Sequence, residues 1–102
     1  MDYSLTDDNE FIIQYHATTD KPTVINLSHH GFFNLKGEGR GSINDHLLTI
    51  YADSITPVND VLIPTGQLMA VEGTPFDFRK ATAIGKRVDT DNEQLKNANG
   101  YD

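Results

Sequence analysis

An all-β fold is predicted for this chain, as part of a large antiparallel β-sandwich with only a few short helical turns. Three observations predict it. Apolar and polar residues alternate along short stretches, turn residues close each stretch on both sides, and no long segment carries helical periodicity. The 102 residues suit one domain or part of one, and 37% of them are hydrophobic, enough for a thin core. No internal repeat or linker divides residues 1–102, so they are expected to form a single piece.

The elements follow in order. From Glu10 to Thr18, Phe11, Ile13, Tyr15 and Ala17 alternate with Gln14, His16 and Thr18, which predicts a half-buried strand. Thr19–Pro22 predicts a turn, with Pro22 placed where a strand can begin without its N–H. Thr23–His30 then predicts a second strand, antiparallel to the first, with Gly31 as a bulge or a point of close backbone approach. Lys36–Ser42 holds three glycines and predicts a loop. His46–Ala52, Val61–Ile63 and Gln67–Val71 predict further strands, bounded by Pro57, Pro64-Thr-Gly66 and Gly73-Thr-Pro75. Helical signals are confined to Ala83–Val88 and Asn92–Lys96.

Charge and composition narrow the function. Fifteen acidic against eight basic residues give a net charge of −7. A nucleic-acid partner calls for a cationic stripe that displaces counterions, and the basic residues are scattered apart from Arg79-Lys80 and Lys86-Arg87. Anionic membrane surfaces are disfavoured on the same ground, and no apolar run approaches the ~18 residues that span a bilayer. Neither nucleic acid nor membrane is expected as a partner; a neutral ligand such as a sugar fits better. With no cysteine, thiolate metal sites and cysteine nucleophiles are excluded.

His29-His30 is the first candidate for chemistry. Neighbouring side chains on a strand face opposite ways, so the two rings cannot converge on one metal ion. His16 and Asp45-His46 follow no ligand spacing either, and no metal is expected. The same alternation puts Asn26, Ser28 and His30 on one face and Ile25, Leu27 and His29 on the other. A polar stripe beside Phe32 and Phe33 suits a groove that reads sugar hydroxyls while rings cover apolar C–H faces; it equally suits the wet face of an ordinary sheet. Ser28 lacks the Gly-x-Ser-x-Gly setting of a hydrolase nucleophile.

Ten residues then carry a resemblance. Asn26-Leu-Ser-His-His-Gly-Phe-Phe-Asn-Leu35 resembles the Asn-Leu-Thr-x-His-x-Tyr-Phe-Asn-Leu segment of the aldose 1-epimerases, or galactose mutarotases. Residues 43–48, Ile-Asn-Asp-His-Leu-Leu, are similar to the family's I-x-D-H-x-L stretch. Ala52-Asp53, Thr56-Pro-Val58, Leu62-Ile-Pro-Thr-Gly66, Gly73-Thr-Pro-Phe-Asp-Phe-Arg79 and Ile84-Gly85 follow in the family's order. Gly100-Tyr-Asp102 resembles the start of its Gly-Tyr-Asp-His-Asn segment.

The resemblance implies a large β-sandwich that interconverts the α and β anomers of free aldoses such as galactose or glucose, with no cofactor and no metal. It implies that a histidine acts as general acid on the ring oxygen while a glutamate takes the C1 hydroxyl proton. Counting back from Phe33-Asn-Leu35 places the acid on His30, the residue that alternation also set on the polar face. Asp102 matches a family aspartate that binds sugar hydroxyls. His30, Gly31, Phe32, Asn26 and Asp102 are accordingly the expected substrate-binding set, with His30 catalytic.

Three departures stand out. Phe32 replaces a tyrosine, Gln67 stands where the family has glutamate, and the upstream asparagine–arginine pair and histidine and the downstream base glutamate find no counterpart here. These departures, with the abrupt start and finish, predict a central piece of a mutarotase, truncated at both ends and inactive alone. Other readings stay open. One is a non-catalytic carbohydrate-binding sandwich. Another is a relative acting on hexose 6-phosphates, for which only Lys36 and Arg40 near His30 could meet a phosphate. Unpaired sheet edges could also join copies into a homo-oligomer. The compartment is expected to be the cytoplasm, with the periplasm as the alternative.

Overall fold

A computed structural model describes residues 1–101 as two compact units, Met1–Phe32 and a second beginning at Phe33. Every described strand pair is antiparallel, in three two-stranded sheets, with one α-helix and one 3₁₀ turn beside them. The all-β expectation therefore holds. No described helix is long and apolar enough to cross a membrane.

In the first unit, β1 (Asp2–Leu5) and β2 (Phe11–Gln14) form a hairpin, with Tyr3 opposite Ile13 and Leu5 opposite Phe11. Asn9 closes the turn at φ 62°, in the left-handed region that asparagine tolerates. The Thr6 hydroxyl accepts from Glu10 N–H at 3.1 Å. Tyr3 and Phe11 are diagonal neighbours on one face, and their rings stack at 5.9 Å and 7°. Two expectations need correction. The first strand ends at Gln14, and its partner is β1 rather than residues 23–30, which join no ladder. Closing a hairpin across a five-residue turn costs less chain entropy than reaching a segment beyond Pro22. β1 escaped detection because Asp2-Tyr-Ser-Leu5 alternates over too few residues to stand out.

In the second unit, β3 (Leu47–Leu48) pairs with β6 (Thr82–Ala83), and β4 (Ser54–Ile55) with β5 (Met69–Ala70). The strands expected over 46–52 and 67–71 thus shrink to two ladder residues each. Residues 61–63 form no strand. They belong to a turn in which the Asn59 carboxamide accepts from Val61 N–H and Ile63 N–H, closed by a bridge between Val58 and Pro64. Gly85 allows a close approach to Asn44: a Cβ there would meet Asn44 Cβ at 2.5 Å.

The helical signals are realised as a 3₁₀ turn (Ile84–Lys86) and as α1 (Glu93–Ala98). Asn92 caps α1, its carboxamide oxygen accepting from Gln94 N–H at 2.9 Å. Asn99, left-handed at φ 55°, ends it, and Gly100 N–H returns to Leu95 O at 2.9 Å. Val71, Phe78 and Leu95 are the buried core, with Val71 only 1% exposed. Tyr101 packs edge-on to Phe76 and Phe78 and donates its hydroxyl to Pro75 O at 3.0 Å.

Candidate functional site

Four of the five expected site residues, Asn26, His30, Gly31 and Phe32, lie in the first unit, on chain that belongs to no helix or strand. Asp102, the fifth, lies outside the described residues. Asn26, Ser28 and His30 are all exposed. The two-faced strand is thus corrected to an open segment, in which Ile25 and Leu27 are exposed as well. His29 is half-buried and His30 is exposed.

His30 and Phe32 are brought together, their rings 5.0 Å apart and tilted by 52°. Phe32 is 90% exposed. An accessible imidazole next to an open aromatic face offers a proton donor and a platform for sugar C–H bonds in one place. His29 turns to the hairpin instead. Its ring stands edge-on to Tyr3 at 5.7 Å and to Phe11 at 6.4 Å, each at 72°. Its Nδ1 accepts the Gly31 N–H at 3.3 Å. Gly31 is needed for this approach, since a Cβ there would lie 2.3 Å from His29 Cε1. A close backbone approach at Gly31 was among the expectations; its partner, His29, was not.

The second unit holds polar clusters of its own. Asp77 takes Arg79 through Nε at 2.9 Å and Nη2 at 2.8 Å, and Arg79 also reaches Asp53 and Glu72. The Arg79 hydrogen bonds hold the Asp77 carboxyl down at about 2 from an ordinary 3.8, and the Arg79 guanidinium is held up in return. The spacing Asp77-x-Arg79 was the available signal. Arg87 donates to Asp77 O and lies 5.3 Å over the Phe78 ring.

His46 is a structural histidine. Its Nε2 accepts Leu35 N–H at 2.9 Å, which leaves Nδ1 to face Asp45 at 3.3 Å. Lys36, 2.6 Å from the same carboxylate, is the main cause that lowers the Asp45 pKa, with His46 second. Among the described residues, no three His, Cys, Asp or Glu side chains gather where they could hold a metal ion. A cleft of about 360 Å³, lined in part by Ile55, Leu68, Phe76 and Gln94, opens in this unit and contains no acid or base.

Comparison with known proteins bears out the family resemblance. The family described as aldose 1-epimerase matches residues 1–102. The chain is 43% identical to the galactose mutarotases of Bos taurus and Homo sapiens over 96 residues, 94% of this chain. It is 45% identical to the aldose 1-epimerase of Escherichia coli K12 over 100 residues, 98% of this chain. These alignments cover 27%, 27% and 28% of the three relatives, so the chain spans little more than a quarter of their length.

Proposed function

From the premise that this chain belongs to the aldose 1-epimerase family, we propose that it supplies the acid side of a mutarotase active site for free aldoses such as galactose or glucose. The observation that carries the reading is the His30–Phe32 pair, an accessible imidazole set against an open aromatic ring. Phe32 covers a C–H face of the pyranose, and Asn26 and Asp102 take its hydroxyls. His30 gives a proton to the ring oxygen while a base removes the C1 hydroxyl proton. The C1–O5 bond breaks, the aldehyde turns about C1–C2, and closure from either face returns one anomer or the other.

General acid–base catalysis contributes roughly 10²–10⁴-fold and needs both partners in place. The glutamate base that the family resemblance calls for matches no motif in these residues. The chain by itself is therefore expected to leave mutarotation at the buffer rate.

The test has two arms, each following the anomeric protons of freshly dissolved α-galactose by NMR. The first uses the chain alone, where a rate above buffer would show a base within these residues. The second splices the chain into the E. coli enzyme in place of its aligned 100 residues. The splice is expected to turn over, and His30→Asn to slow it by roughly 10²–10⁴-fold. A folded splice that binds galactose without turnover, or a His30→Asn splice at full rate, would overturn the proposal.

A further inference from the structure

We propose that His29 is the positioning residue for His30. Set edge-on against both Tyr3 and Phe11, it serves as a hydrogen-bond acceptor at Nδ1 that fixes the backbone just after the acid. The inference rests on the reading of His30 as that acid.

Three observations converge on it. The ring of His29 makes edge contacts with two aromatic rings that are themselves stacked across the β1–β2 hairpin, so its orientation is tied to a regular element. From that position Nδ1 accepts the N–H of Gly31, the residue that follows His30. An acceptor nitrogen carries no proton, so the ring is the Nε2–H tautomer; a proton on Nδ1 would oppose donor to donor. Finally, Gly31 has no Cβ to keep the imidazole away, and any larger residue would collide with it.

The chain thus uses His29 as asparagine and aspartate are used elsewhere, with a side-chain acceptor binding the N–H two residues on and holding a bend. His30 sits between the two bonded residues. Residues 23–30 join no ladder, so this clasp stands in for the strand pairing that would otherwise hold the segment. Positioning of this kind acts on rate rather than affinity, because displacing an acid by about 1 Å costs up to about 10²-fold.

The experiment compares His29→Leu with His29→Asn. In the 102-residue chain, ¹H–¹⁵N spectra should show His29 as the Nε2–H tautomer and Gly31 N–H protected from exchange. Leu should abolish that protection and Asn should keep it. In the splice, Leu should lower kcat roughly ten- to a hundredfold with KM within about twofold, and Asn should restore most of the rate.

Should His29→Leu not fold, Gly31→Ala reads the same contact. It should lose kcat beside His29 and recover it in the His29→Asn/Gly31→Ala double variant, where the ring is gone. The inference is overturned by an Nδ1–H tautomer, or by Leu and Asn variants with equal kcat. If the Nε2–H tautomer and the Leu–Asn difference are both seen while His30→Asn keeps full rate, the acid assignment fails instead. If His30→Asn is slow and His29→Leu is not, only the positioning role fails.

Discussion

The two units solve the same problem of order in different ways. The second buries Val71, Phe78 and Leu95, caps its helix at both ends and ties Arg79 to Asp53, Glu72 and Asp77. The first buries no large hydrophobic residue and is held by a hairpin on which the rings of Tyr3, Phe11 and His29 meet. Yet it is the first that carries His30. The difference teaches that a segment can be oriented by a few directional contacts, where a packed core would cover side chains that here stay open.

That contrast can be broken most forcefully at Phe78. Phe78→Ala removes a ring packed against Tyr101 and beneath Arg87, and is expected to cost about 3–5 kcal/mol, seen as early loss of the α1 signal in urea. Phe11→Ala in the first unit should cost only about 1 kcal/mol, because that ring is already 49% exposed. Equal effects would erase the distinction. Gln94→Ala comes next. It strips the partner from Val58 N–H and should cost about 1–3 kcal/mol by the same titration.

Asn92→Ala, which removes the helix cap, should cost about 1 kcal/mol and lower helicity without touching the hairpin. The smallest effect concerns acid. Because Asp77 is depressed to about 2 when folded, its contribution is present above about 3.8 and is lost as pH falls toward 2. Circular dichroism between pH 5 and 2 should show this limb flattened in Asp77→Asn. An unchanged limb would mean that the Arg79 cluster contributes nothing to stability, as exposed ion pairs often do.

What the sequence disclosed follows the range of the forces involved. Alternation at Phe11–Gln14 and the helical signal at Asn92–Lys96 are local, and each was legible. The span of the ladders was not, since Leu47–Leu48 and Met69–Ala70 depend on partners chosen in three dimensions. Thr23–His30 has the composition of a strand, but β2 is paired to β1 instead. The motif around His30 was legible as a motif, whereas the alternation that set it on a polar face did not survive, because residues 23–30 form no strand. The work of His29 was hidden, because Tyr3 and Phe11 lie 26 and 18 positions earlier.

One side chain of the second unit imitates the main chain. The Gln94 carboxamide accepts from Val58 N–H at 2.7 Å and donates to Val58 O at 3.0 Å, and Asn97 adds a third bond to that oxygen. An amide with one donor and one acceptor turned toward a residue's own N–H and C=O is a counterfeit peptide unit. It occupies the position of a neighbouring strand and offers nothing beyond itself to which another could add. At Val58, then, the helix terminates the hydrogen-bonding lattice, much as a chemical cap ends a growing polymer.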